Sequence, residues 1–410
     1  MRIALATVGT TGDVLPFVAL AEGLLAAGHD VTAVSWELHR SAFEDVGTRF
    51  AAAGPATSAA DIARTAALAA ADGSPLAQVA VLRDFHLREA TAHYATLRER
   101  LAGHDLVLLH GIHTLAEAAV RDARLRYATA VFDPVLLPTA TAPPTGMPSL
   151  GPFNRLGWRM LDAMLRRQDG PLHDALRSAG SESASRVTMF RGRSPQVHLV
   201  AVSPAIVPPP PDLPASISFT GAWVPLRPPG ALPAELRGFL DAGDPPVVVT
   251  FGSMAVPDQA ALVTTVVAGL RQAGHWVVVQ DHAQDGERVA AAVDGVLRMG
   301  HVDHRALFPR AAAIVHHGGA GTTHAAVAAG VPSVIVPHVG DQPFWAHRLH
   351  RLGVAATPLK VTQVSAEAVL ERVGHATSAA VRASAADLGR RVAAERGVER
   401  AIARLEQAVS

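Results

Sequence analysis

His316-His317-Gly318-Gly319-Ala320-Gly321-Thr322-Thr323 stands between an apolar run, Ala311-Ala312-Ala313-Ile314-Val315, and an alanine-rich segment that stops at Gly330 and Pro332. The apolar run reads as a buried strand and 323–329 as a helix. Three glycines at a strand-to-helix turn let backbone come close to a ligand. The unpaired amides of a first helical turn and the positive end of its dipole favour an anion there. His317, Thr322 and Thr323 add side-chain donors at the same place, so the segment suits a diphosphate.

Outward from it, strands and helices alternate along the chain, which predicts an α/β fold of two doubly wound parallel-sheet domains facing a cleft. In the first half, strands are expected at 2–8, 31–35, 105–110 and 127–132, with helices at 14–27 and 115–123. In the second half, strands are expected at 246–251, 276–280, 296–299, 312–316, 333–336 and 355–357. Helices alternate with them near 259–273, 305–310, 323–329, 343–351 and 366–376. Pro208-Pro209-Pro210-Pro211 and Pro225-Leu226-Arg227-Pro228-Pro229-Gly230 are too proline-rich to continue a sheet and suit a semi-rigid connection. The expected division is a first domain at 1–222, a linker at 223–236, a second domain at 237–377 and a helical tail at 378–410.

Composition narrows the function classes. The chain has 410 residues, enough for two cores, and 36 basic against 36 acidic side chains. Without a net positive field, nucleic acid and anionic membrane surfaces are not expected partners. The absence of cysteine excludes disulfides, thiolate metal sites and cysteine nucleophiles. The apolar start, Met1 to Val8, is short and runs into Gly9, so it reads as a first strand rather than a signal peptide. No apolar run approaches a membrane span. A cytoplasmic protein, monomer or homodimer, is expected.

A second glycine-rich loop, Gly9-Thr10-Thr11-Gly12-Asp13, follows the first strand and precedes a helix. It therefore projects from the carboxyl edge of the sheet, where α/β proteins bind ligands. Asp13 stands at the helix start. Its sequence position suits an N-terminal cap as well as a residue facing the cleft.

Beyond the first segment, the stretch from Gly300-His301-Val302-Asp303-His304 through Gly330-Val331-Pro332 to Gly340-Asp341-Gln342-Pro343-Phe344-Trp345 carries further matches. It resembles the nucleotide-sugar signature of inverting glycosyltransferases of the GT-B fold, in the UDP-glycosyltransferase superfamily. Bacterial enzymes that glycosylate antibiotics and sterol glucosyltransferases share the His-His-Gly-Gly-Ala-Gly-Thr-Thr wording and an Asp-Gln pair downstream. The resemblance reaches both ends of the chain, although between about 52 and 233 it is one of pattern. Asp13-Val14-Leu15-Pro16-Phe17 is similar to a run in which the family's aspartate is the proposed base.

The resemblance implies transfer of a hexose or deoxyhexose from a UDP- or dTDP-sugar to a hydrophobic small molecule such as a polyketide, sterol or antibiotic aglycone. Asp13 would be the catalytic base. Thr10, Gly12, Ser253, His301, Val302, His304, His317, Gly319, Gly321, Thr322, Thr323, Asp341 and Gln342 would hold the nucleotide sugar. The family's ribose-binding glutamate aligns with Ala325, so uridine and thymidine both stay open, as do oxygen and carbon as the attacking atom. The irregular stretch 138–158 is the expected acceptor region, with Phe85, His113, Met147 and Trp158 as candidates. No metal or other cofactor is expected: His316 and His317, adjacent on an extended segment, should point to opposite faces, and no Asp-x-Asp occurs.

Two other readings compete. A nicotinamide-dependent oxidoreductase would use Gly9 to Gly12 with Glu37 on a ribose, yet the spacing is not Gly-x-Gly-x-x-Gly and the second domain's loop goes unused. A non-catalytic auxiliary partner would keep the fold but need not keep Asp13, His317, Asp341 and Gln342.

Overall fold

The computed structural model describes residues 1–71, 75–135, 137–144, 147–189, 192–252, 259–280, 294–300 and 302–409. The first sheet contains β1 (Arg2–Ala6), β2 (Asp30–Ser35), β3 (Arg49–Ala52), β4 (Leu106–His110), β5 (Tyr127–Val131), β6 (His198–Val200) and β7 (Ile217–Phe219), in the spatial order β3-β2-β1-β4-β5-β6-β7. The second contains β8 (Val247–Thr250), β9 (Val277–Gln280), β10 (Val296–Met299), β11 (Ala313–His316) and β12 (Ser333–Ile335), ordered β10-β9-β8-β11-β12. All pairings between these strands are parallel.

The strand sequences explain the layering. Ile3 and Leu5 join one apolar cluster while Ala4 and Ala6 join another, so β1 feeds a core on each face of its sheet. Val247 and Val249 are likewise separated from Val248. Such strands read as continuous apolar runs because both faces are covered by helices.

Three strands were not among those expected: β3, β6 and β7 are three or four residues long, and β7 follows the prolines at 208–211. Those prolines interrupt the chain between two strands of one sheet and do not end it. The strand expected at 355–357 reduces to an isolated bridge between Ser333 and Ala355. Helices begin earlier than expected, at Thr11 and at Ala320, because Thr10 and Gly319 take the extended backbone of a cap.

The last two helices cross domains. Ala385, Leu388 and Val392 of Ala379–Ala393 pack with Trp345 and Val327 and also with Val200, Val202 and Ile206. In the final helix, Gly397–Gln407, Val398, Ala401, Ile402 and Leu405 lie in the first domain's core beside Phe17, Leu20 and Leu24. Between these helices, Glu395 accepts the Ser203 hydroxyl at 2.7 Å, and the Ser203 amide donates to His324 Nε2 at 3.2 Å. Among the described residues no helix is long and apolar enough to cross a membrane.

Candidate active site

The carboxyl edge of β11 leads directly into the glycine loop. His316 is fully buried and its Nδ1 accepts the Gly318 amide at 3.1 Å, while His317 is only half-buried, its ring perpendicular to that of His316 at 6.4 Å. A Cβ on Gly319 would lie 2.4 Å from His317 Nε2, and one on Gly252, where φ is +71°, would lie 2.7 Å from its Cε1. Two glycines thus make the seat for the His317 ring. Gly319 caps the helix Ala320–Ala328, whose first internal bond runs from the Thr323 amide to the Gly319 carbonyl at 2.9 Å. The amides of Ala320, Gly321 and Thr322 precede that bond and open the helix as donors. Gly321 is exposed and Thr322 half-buried. Thr323 is fully buried and its hydroxyl has no protein partner, so of the threonine pair it is Thr322 that stands nearer solvent.

Side chains fix this helix in place. His324 Nδ1 donates to the Ala320 carbonyl at 2.8 Å while Nε2 accepts from Ser203, an arrangement that requires a neutral ring. Burial holds its pKa down at about 4. Asp341 precedes the helix Gln342–Arg351 and accepts the Trp345 indole N–H at 2.6 Å. Gln342 is buried, and its side-chain oxygen accepts the amides of His338 and Val339 at 2.8 and 3.1 Å, so it shapes the preceding turn.

On the base-and-ribose side, the candidates are committed to one another. His304 Nε2 lies 2.7 Å from Gln280 Oε1, its ring stacks on Phe308 at 4.2 Å, and the Gln280 amide donates to the Val302 carbonyl at 3.2 Å. Gln280, buried at the end of β9, is a participant the sequence reading missed. Ser253 and His301 fall outside the described residues.

Across the cleft, Thr10 caps the helix Thr11–Ala26, and its amide and hydroxyl both donate to Asp13 Oδ2 at 2.8 Å. Thr10 is thereby committed to Asp13. Gly9 has φ +120°, and a Cβ there would lie 2.4 Å from Asp13 Oδ2. A side chain at position 9 would displace the carboxylate. Gly12, the second residue of this helix, is exposed. The other oxygen, Oδ1, lies 4.0 Å from Nε2 of buried His110, whose Nδ1 is 3.3 Å from the Val8 carbonyl. Burial lowers the His110 pKa while Asp13 raises it. His110, at the end of β4, is the histidine beside Asp13. His113 caps the next helix, buried, with its ring 5.4 Å from that of His93.

Asp133, just past β5, was also missed. Its Oδ1 accepts the Val135 amide at 2.9 Å. Burial raises its pKa, and Asp13 raises it further. Asp341 is raised by burial, then by Asp133 and Asp13. Asp13 thus bears on Asp133 and Asp341, and Asp133 on Asp341. The sequence offered one signal for His110 and Asp133: each follows an apolar strand at the sheet's carboxyl edge.

Of the acceptor candidates, Phe85 is half-buried and meets Trp36 edge-on at 5.6 Å. Trp158 is buried and its indole N–H donates to the Ala142 carbonyl at 2.9 Å, anchoring the irregular loop. Met147 is half-buried in that loop. Glu37, the alternative ribose ligand, is occupied by two bonds from Arg40 at 2.6 and 3.0 Å. Among the described residues no group of three or more His, Asp or Glu is placed to hold a metal ion.

Two parallel-sheet domains, one with a carboxylate at the start of its first helix and the other with a glycine-rich helix start, make the architecture of the GT-B fold. Comparison with known proteins agrees. Residues 264–406 match the erythromycin biosynthesis protein CIII-like C-terminal domain, and residues 3–55 match the glycosyltransferase family 28 N-terminal domain. O-mycaminosyltylonolide 6-deoxyallosyltransferase of Streptomyces fradiae is 34% identical, covering 99% of this chain and 97% of its own. Vancomycin aglycone glucosyltransferase of Amycolatopsis orientalis is 33% identical, covering 86% of this chain and 85% of its own. The crystal structure of the glycotransferase of kitacinnamycin superposes with a TM-score of 0.73 at 20% identity, covering 100% of this chain and 99% of that one. The glycosyltransferase VinC in complex with dTDP gives 0.66 at 21%, covering 100% and 99%. The chain belongs to this family of antibiotic and sterol glycosyltransferases and is a sugar-transferring enzyme.

Proposed function

We propose that this enzyme transfers a hexose or deoxyhexose from a UDP- or dTDP-sugar to a hydrophobic small molecule, with inversion and without a metal. The observation that carries the reading is the opposition of Asp13, pinned by Thr10 and Gly9, to the open amides of the helix at Ala320 and the His317 ring. Ala320 packs against the first domain's core, so the two features meet at one interface. Asp13 accepts the acceptor's proton as its oxygen attacks the anomeric carbon. The diphosphate leaves on the opposite side, where His317, the first-turn amides and the helix dipole stabilise growing negative charge. Single displacement turns an α-linked donor into a β-glycoside. His110 Nε2 lies 4.0 Å from Asp13 Oδ1, within range of its charge but beyond hydrogen-bond distance. Asp341 and the side-chain amide of Gln342 suit sugar hydroxyls.

The relatives named above act, by their names, on O-mycaminosyltylonolide and on a vancomycin aglycone, and the VinC complex contains dTDP. These support a dTDP- or UDP-linked donor and an antibiotic-type acceptor. Titration of the purified protein with dTDP and UDP, in buffer containing EDTA, tests the reading. Micromolar affinity for at least one is expected; affinity for neither, or only after metal addition, would refute the metal-free diphosphate site.

A further inference from the structure

Beside Asp13 lies a group of polar rings that the reaction above does not use. Trp36 follows β2, His39 lies in the turn after it, His93 is on the helix Ala90–Leu101, and His113 precedes the helix Thr114–Asp122. All four are at most 5% exposed. Trp36 Nε1, His39 Nε2, both nitrogens of His93 and His113 Nε2 are buried without a hydrogen-bond partner in the protein. They form one group: Trp36 and His39 stack at 6.2 Å, and His93 and His113 lie 5.4 Å apart. Trp36 and His93 close on the same point, since a Cβ on Gly54 would lie 2.7 Å from Trp36 Nε1 and 3.2 Å from His93 Cε1. β1 and β2 pair side by side with Ala6 opposite Val34, so Trp36 and His39 leave the strand end next to the one that leads to Asp13, and the Asp13 charge raises the His39 pKa against the lowering by burial.

Stability does not account for such a set. A buried polar atom without a partner costs desolvation and returns nothing, and apolar rings of the same shape would fill the space at least as well. We infer that Trp36, His39, His93 and His113 form a polar recognition subsite that takes uncharged hydroxyl or carbonyl oxygens of the acceptor, making the acceptor an oxygenated aromatic or polyketide rather than a sterol. This rests on the proposed role of Asp13, since an acceptor delivering its oxygen there must lay its body over these rings. An indole N–H donates only, whereas a neutral imidazole donates at one nitrogen and accepts at the other, a combination that hydroxyl and carbonyl groups satisfy together. Burial keeps His93 at about 4 and His113 well below its ordinary value, so the rings are uncharged at neutral pH and do not select a carboxylate. Phe85 and His86, at the end of the helix Pro75–His86, cover Trp36 at 5.6 and 5.7 Å. Entry requires these two side chains to swing away.

The test uses the full-length chain saturated with dTDP or UDP and two probes of one skeleton, a trihydroxyanthraquinone and its tri-O-methyl ether, with binding followed by tryptophan fluorescence. Wild-type protein should bind the hydroxylated probe at least about tenfold more tightly, a difference of about 1.4 kcal/mol. Trp36→Phe and His93→Phe should each remove most of that preference while leaving the melting temperature unchanged or higher. Equal affinity for the two probes, or no binding of either, overturns the subsite; so does a preference that survives both substitutions. His113→Phe serves as a third variant if either of the others fails to fold. Nucleotide titration of the same samples separates the two readings: wild-type protein that binds no nucleotide sinks the transferase site itself, whereas nucleotide binding without discrimination between probes sinks only the subsite.

Discussion

The two walls of the cleft are built in opposite ways. The second domain's wall is largely contiguous in sequence: from His316 to Thr323 one turn supplies the amides, the imidazole and half of its seat, with Gly252 the other half. The first domain's wall is dispersed, with Asp13 following β1, His39 following β2, His110 ending β4 and Asp133 following β5. Those four strands are neighbours in the sheet order β2-β1-β4-β5, so residues over a hundred positions apart arrive side by side. The contrast follows from the chemistry. A diphosphate is held largely by backbone amides, whose direction a local turn sets. Proton transfer and acceptor recognition need side chains, which any neighbouring strand end can deliver.

The sharpest way to break this comparison is Asp13→Asn. Turnover should fall at least about a hundredfold, as for loss of a general base, while dTDP or UDP affinity stays as in wild type. Unchanged turnover would leave the first wall without its proposed base. On the other wall, His317→Ala should weaken nucleotide affinity by about tenfold, the size of one charge-assisted hydrogen bond. Gly319→Ala should reproduce much of that loss with the histidine still present, because the new methyl would occupy the ring's seat; calorimetry on both variants checks whether the seat matters as the geometry requires.

A smaller effect, about tenfold or less on kcat, is expected from His110→Phe, read from pH–rate profiles with the nucleotide at saturation. A profile and kcat identical to wild type would detach His110 from Asp13. The mildest prediction concerns stability. Burial and Asp133 raise the Asp341 pKa above its unfolded value, so the folded chain binds more protons than the unfolded one between the two values. Stability is then fully present below the unfolded pKa and is lost as pH rises through the raised one. Asp341→Asn removes that loss: it should melt a few degrees above wild type at pH 8 and level with it at pH 3. A variant less stable at both values would mean the carboxylate serves the fold.

Much of the second domain's wall was legible, namely the strand, the glycine turn and the helix after it. Its limits lay in side-chain commitments. Thr323 reads as a donor to a ligand, but the helix starts at Ala320 and rotates its hydroxyl inward. His304 reads as a ribose contact and is held by Gln280, a residue that nothing local marks. In the first domain the glycine loop and Asp13 were legible, while His110 and Asp133 were not. Three short strands also escaped notice, because three or four residues give no periodicity to recognise.

The sequence by itself determined the alternation of elements, the two-sheet architecture and the glycine-rich turn before the helix, since each depends on apolar periodicity and glycine positions within a few residues. Tertiary structure alone decided which histidine lies near Asp13, that Asp133 raises the pKa of Asp341, and that the final helix lies against the first domain's core. Those outcomes depend on sheet order and domain packing, where residues far apart in the chain share one low-dielectric space and acquire partners, or fail to, that no local pattern encodes.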